Sequence, residues 1–170
     1  IVSDTIATHG IAIMSVREGL EFESTIESDT RNLNHIIKNL LDEFGEAIHL
    51  LKDPTRGGVA TVLNEIVRDT KVGIDINHKN IRVNGQVKAA CEILGLDPLY
   101  VANEGIFMAI VDATVADKLV KKLTTFDNCH QAAIIGEVVE THPRQVIMTS
   151  AIGGKRVVNM LVGEQLPRIC

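Results

Sequence analysis

Between residues 28 and 126, stretches with helical spacing alternate with short apolar runs; beyond 126 the short runs follow one another with only tight turns between them. That order leaves few folds open. It predicts an α/β (α+β) layered sandwich, a mixed β-sheet covered by helices. In the first helix Leu33, Ile36, Ile37, Leu40, Leu41 and Phe44 recur at steps of three and one. Ser28 or Asp29 is the expected cap and Gly45 the stop. A second helix carries Val59, Val62, Leu63, Ile66 and Val67. A third, after an Asn84-Gly85 turn, carries Val87, Ala90, Cys91 and Leu94 and stops at Gly95. A fourth carries Val115, Leu119, Val120 and Leu123.

Strands are expected at 47–51, 72–76, 106–111, 132–139, 145–149 and 156–162. The run 106–111 is almost unbroken in apolar residues, as in a strand buried on both faces. His142-Pro143 and Gly153-Gly154 mark the turns between the last three. Residues 1–13 read as a strand entering a turn or helix. Residues 163–170 lack periodicity, contain Pro167 and read as a flexible tail, which leaves one domain at 1–162. No repeat, low-complexity segment or linker divides it. The chain opens on Ile1 rather than Met, as expected of a piece of something longer.

Composition narrows the function. Of 170 residues 45% are apolar and 23% charged, which removes disorder as a class. Seventeen basic residues are scattered among 22 acids, for a net charge of −5, and aromatics are 3% with no Trp. Neither a phosphate-tracking basic face nor base-stacking platforms result, so no nucleic-acid partner is expected. No apolar run nears the roughly 20 residues of a membrane span and no signal peptide is evident, so a soluble, cytoplasmic protein is expected. Three cysteines, an odd number without metal spacing, fit a reducing compartment.

Two loops carry possible chemistry. In Asp53-Pro54-Thr55-Arg56-Gly57-Gly58, two glycines open a helix beside an arginine, a natural anion site; an ordinary Asp-Pro turn reads equally well. In Asn103-Glu104-Gly105, a carboxylate stands at the mouth of an apolar strand, where desolvation favours a proton acceptor; a plain polar turn is the alternative. Nucleotide fingerprints of the G-x-x-x-x-G-K-[ST] and G-x-G-x-x-G types are missing. The six histidines have no ligand spacing, and no metal-binding residue is assigned. Cys91 reads as an inert core thiol and Cys129 as a loop residue. Cys170, at the end of a Pro-containing tail, is either accidental or a mobile thiol that carries a group.

Pro167-Arg168-Ile169-Cys170, the Asp53–Gly58 loop, residues 90–100 and Asn103-Glu104-Gly105 together resemble the HypE family of hydrogenase maturation factors, in the superfamily of aminoimidazole ribonucleotide synthetase and selenophosphate synthetase. His9-Gly10-Ile11-Ala12-Ile13 and Arg17-Glu18-Gly19 fit the start of the second half of such a protein. The resemblance implies a C-terminal synthetase-like domain. ATP and Mg²⁺ would be bound mostly by an N-terminal domain that also forms a homodimer. A carbamoyltransferase, HypF, would load Cys170; ATP-dependent dehydration would turn the thiocarboxamide into a thiocyanate; and the HypC–HypD complex would take the cyanide to iron. It further implies Glu104 as base with Asn103 orienting it, and Asp53, Thr55, Arg56, Gly57 and Gly58 around the phosphates. Thr8 stands where the family favours an acid before His-Gly, which leaves His9 a packing or turn role. Two other readings are a non-catalytic carrier module that presents Cys170 to partners, and a sibling synthetase domain with a fortuitous terminal cysteine.

Overall fold

The structure, a computed structural model, describes residues 1–17, 19 and 26–161. Its helices are α1 (Thr8–Arg17), α2 (Asn34–Phe44), α3 (Gly58–Arg68), α4 (Gly85–Leu94) and α5 (Ala116–Leu123). Its strands are β1 (Ile48–Lys52), β2 (Gly73–Asn77), β3 (Met108–Val111), β4 (Gly136–Val139), β5 (Val146–Thr149) and β6 (Lys155–Val157).

A four-stranded mixed sheet runs in the order β4-β2-β5-β6. β2 lies parallel to β5 and antiparallel to β4, and β6 is antiparallel to β5. The register sets Ile74 opposite Val146 and Ile76 opposite Met148, all four buried. Residues two apart on a strand share a face, so these side chains form one apolar surface. The stripe Val59, Val62, Leu63 and Val67 of α3 joins it in one cluster, with Val87, Ala90 and Cys91 of α4 and Ile11 of α1. Each aliphatic side chain fully buried there contributes about 1.5–3 kcal/mol.

A second sheet has only β1 and β3, antiparallel, with Lys52 opposite Met108. Beside it Ile36 and Leu40 of α2 and Leu119 and Leu123 of α5 form a smaller cluster. The segment leading into β3 separates the two. Ile106 and Met108 belong to the larger cluster, Phe107 and Ala109 to the smaller. The expected two-faced burial is therefore present at 106–109, with apolar neighbours on both sides, while Ile110 and Val111 are only half-buried. Ladder pairing with β1 begins only at Met108, because Phe107 is bonded instead to Ser3, through Ser3 N–H to Phe107 O and Phe107 N–H to Ser3 Oγ.

The layered α/β reading holds, with the strands divided between two sheets rather than one. Five local readings change. The strand expected at 132–139 is only β4, from Gly136, because Ala132 N–H turns back to Cys129 O and Ala133 bridges Val2. The helix expected after a cap at 28–29 is α2 and starts at Asn34, because Ser28 to Arg31 are engaged elsewhere; Leu33 occupies the cap position without a side-chain bond. Asn84 is more than a turn residue: its Oδ1 accepts Gln86 N–H at 2.9 Å and caps α4. The opening segment is chiefly the helix α1, preceded by isolated bridges from Val2 to Met108 and Ala133. The last strand is shorter than expected and ends at Val157; Val158 N–H still bonds Val146 O, but Asn159 O accepts from the Tyr100 hydroxyl instead of from β5. The tail expected at 163–170 lies outside the described residues.

Candidate active site

The two loops singled out in the sequence lie side by side, and a buried asparagine joins them. Asn103 is 0% exposed. Its Oδ1 accepts Ala7 N–H at 2.7 Å, just before α1, and its Nδ2 donates to Pro54 O at 2.9 Å and Val101 O at 3.0 Å. Its backbone N–H also donates to Pro54 O, at 3.2 Å. Every polar group of the side chain is used, so a residue of this shape with one acceptor and two donors is required. Three segments far apart in the chain are thereby fixed to one another.

The second fixed point is Gly58, the first residue of α3. Its φ is +60°, and a Cβ there would lie 2.5 Å from Leu99 O and 2.6 Å from Val101 O. Only glycine lets the helix press so closely on the 99–101 backbone. Gly57, the N-cap, is also left-handed at φ 69°, and Gly58 N–H turns back to Thr55 O at 3.1 Å. Arg56 and Asp53 are exposed at the tip of this loop, and neither forms an ion pair with a described residue. An unpaired guanidinium beside a helix start suits an anion. Thr55 is half-buried.

Glu104 is half-buried, and its backbone N–H donates to Asp29 Oδ1 at 3.2 Å. Gly105 follows directly beneath the 29–31 segment. A Cβ there would overlap the carbonyl oxygen of Asp29 and come within 2.8 Å of Arg31 Nε. Arg31 fastens that segment further: Nε donates to Asp29 O at 3.0 Å, one terminal nitrogen donates to Asn128 O at 2.6 Å, and Asp4 lies at 4.0 Å. Burial pushes the Asp4 carboxyl up; the Thr5 N–H and the Arg31 charge act against it.

His9, on α1, is 8% exposed. Its Nδ1 shares a hydrogen bond with Ser28 Oγ at 2.8 Å, and Ser28 Oγ also meets Thr30 Oγ1 at 2.7 Å. His9 Nε2 and Asp29 Oδ2 are both buried without a hydrogen-bond partner among the described residues. His9 thus has the packing position expected of it, with a polar link to the 28–31 segment in addition.

Ser28, Asp29 and Arg31 are the site residues that sequence reasoning missed. A signal was present. A cap belongs immediately before the first helical residue, whereas Asp29 stands four positions ahead of Leu33, where the apolar stripe begins. A Ser-Asp pair that early is free for another task.

Cys91 and Cys129 are buried, and burial pushes each thiol up to about 11. Neither is a usable nucleophile near neutral pH. Cys170 lies outside the described residues. Among the described residues no three His, Cys, Asp or Glu side chains are grouped to hold a metal ion, and no helix is long and apolar enough to cross a membrane. A cavity of about 750 Å³, floored by Ile6, Ile81, Val83 and Leu96, is lined by Leu99 but by neither Glu104 nor the Asp53–Gly58 loop. That cavity therefore lies apart from the two loops.

Residues 1–148 match the family model of the AIR synthase related protein, C-terminal domain. The carbamoyl dehydratase HypE of Azotobacter vinelandii is 46% identical over 170 residues, all of this chain and 50% of that protein. A crystal structure of hydrogenase maturation protein HypE in complex with ATP superposes with a TM-score of 0.93 at 39% identity, covering 99% of this chain and 51% of the other. A HypE–HypF complex gives 0.87 at 42% identity, over 93% and 51%. The chain spans about half the length of the curated relatives it matches.

Proposed function

This chain belongs to the AIR synthase related protein family as its C-terminal domain, and on that footing we propose that it is the second half of a carbamoyl dehydratase serving [NiFe]-hydrogenase maturation. The observation that carries the reading is the double hold of Asn103 on Pro54, which sets Glu104 beside the Asp53–Gly58 loop. On this reading a proton acceptor and a cation with no ion-pair partner among the described residues stand on two turns joined by Asn103.

The reaction begins with a carbamoyl group on Cys170, –S–C(=O)–NH₂. An amide oxygen is a poor leaving group. ATP, bound chiefly by the other half of the protein, supplies the phosphoryl group that this oxygen accepts, releasing ADP. Two N–H bonds must then break. One proton leaves as C=N forms, and the second leaves as the C–O bond breaks and phosphate departs, giving –S–C≡N. Glu104 is the acceptor for the nitrogen protons. Arg56 and the backbone of Thr55, Gly57 and Gly58 offset negative charge on the transferring oxygens, where most of the work of phosphoryl transfer lies. Mg²⁺ belongs with the nucleotide in the other half, since the only acid on the loop is exposed Asp53. The relatives' HypF partner fits the loading step, and residues 163–170 act as the tether that moves Cys170 between HypF, the ATP site and the HypC–HypD acceptor. A homodimer through the N-terminal half and a cytoplasmic setting complete the proposal.

Intact mass of the full-length protein tests it. With HypF, carbamoyl phosphate and ATP, the wild type gains about 43 Da and then loses about 18 Da as the carried group is dehydrated. Cys170→Ala gains nothing. Glu104→Gln stops at the loaded mass. Dehydration at the wild-type rate in Glu104→Gln would leave this half a carrier module with the chemistry elsewhere, and loading of Cys170→Ala would remove the carrier role.

A further inference from the structure

The 28–31 segment has a purpose that helix capping does not supply. Asp29 Oδ1 takes the backbone N–H of Glu104, while the Asp29 carbonyl rests where a side chain at 105 would be. The segment cannot drift, because Arg31 ties it to Asn128 and Ser28 ties it to His9. Asp29 Oδ2 is buried with no hydrogen-bond partner among the described residues. Burying an unpaired carboxylate oxygen is costly, and an aspartate held at that cost is held for what its other oxygen does.

We infer that Asp29 is a positioning residue for Glu104. It fixes the Asn103–Glu104 peptide and so the point from which the Glu104 carboxylate reaches the substrate nitrogen. The inference rests on the reading that Glu104 is the base. On the N-terminal side of Glu104, Asn103 is anchored to Pro54 and the Glu104 N–H to Asp29; on the other side Gly105 is pressed against Asp29 O, so that the Glu104 backbone is confined from both directions. A misplacement on the order of 1 Å costs up to about a hundredfold in rate, and this is the scale on which loss of Asp29 should act.

The experiment compares Asp29→Ala, Asp29→Asn and Glu104→Gln in the full-length protein by the same mass readout under single turnover. Loading of Cys170 should be unchanged in Asp29→Ala, while its dehydration slows by about tenfold to a hundredfold. The KM for ATP should stay the same. Asp29→Asn keeps an oxygen for the Glu104 N–H and should remain within about threefold of wild type. Backbone hydrogen exchange in the peptide spanning 103–106 should accelerate in Asp29→Ala and not in Asp29→Asn. A wild-type rate in Asp29→Ala, or an equal loss in Asp29→Asn, overturns the inference. If Asp29→Ala shows no cooperative melt, Asp29→Glu decides: its extra methylene displaces the acceptor, and a wild-type kcat there overturns the inference too. Glu104→Gln separates the two levels. Normal dehydration in that variant defeats the base reading itself, whereas a dead Glu104→Gln beside a normal Asp29→Ala defeats only the role of Asp29.

Discussion

At Gly105 the constraint is an atom that cannot be present. Any Cβ would overlap Asp29 O, a backbone atom held by the Arg31 guanidinium, so neither partner has a cheap way to move. Gly105→Ala should therefore destabilise the protein by about 2–3 kcal/mol and slow dehydration as well, because the strain falls on the peptide that carries Glu104. Urea denaturation and the mass readout check the two effects, and a neutral substitution would mean that the 29–31 segment yields freely. The cysteines make a second contrast. Thiols raised to about 11 are overwhelmingly protonated at pH 8, and Cys91 and Cys129 are also shielded by burial. Iodoacetamide at pH 8 on the native protein should leave the peptides carrying them unmodified while alkylating the one that carries Cys170, as tandem mass spectrometry of a digest would show. Alkylation at all three would contradict a tail thiol distinct from the core thiols.

At the scale of elements, Asn103 acts as a rivet between the start of α1, the Asp53–Gly58 loop and the approach to β3. Asn103→Ala strands Ala7 N–H and removes a donor from both Pro54 O and Val101 O in a dry environment, a loss of roughly 3 kcal/mol readable by urea denaturation. Asn103→Asp should be no milder, since a carboxylate oxygen would then face two carbonyls. These cross-chain bonds explain how far the sequence could be read. The stripes of α2, α3 and α5 were legible because a helix buried on one side repeats its apolar residues at fixed steps. Ile106 to Ala109 were legible as doubly buried because nothing polar interrupts them. The division into two sheets was not, since strand partners are chosen by packing between distant segments and leave no local period. In the site, Glu104 and the glycine loop stood out through chemistry and turn residues. Asp29 did not, because an aspartate before a helix reads as a cap until the distance to the helix is counted.

At the scale of the whole molecule, two hydrophobic clusters meet at the segment leading into β3, and the loops that would handle phosphate and protons lie at the surface near that junction. Among the described residues Arg56 and Asp53 are exposed, and no metal-binding cluster of His, Cys, Asp or Glu stands beside them. An anion held by one guanidinium and a few backbone N–H groups in water binds weakly, because surface charge pairs contribute at most about 1 kcal/mol each and are screened by salt. On the proposed reading, tight nucleotide binding needs a second half of the protein to enclose the phosphates and lower the local dielectric. The 170-residue chain alone, once shown by calorimetry to melt cooperatively, should accordingly bind Mg·ATP with a Kd weaker than about 1 mM, while the full-length protein binds far more tightly. In the full-length protein Arg56→Ala should weaken ATP binding only modestly, by about threefold to tenfold, yet depress dehydration more strongly, because its charge is worth most once water is excluded and the phosphoryl group is in transfer. Titration calorimetry and single-turnover mass spectrometry separate these two effects. Micromolar ATP affinity in the isolated chain would show that the nucleotide site is complete without a second half, and the division of labour between the halves would then be wrong.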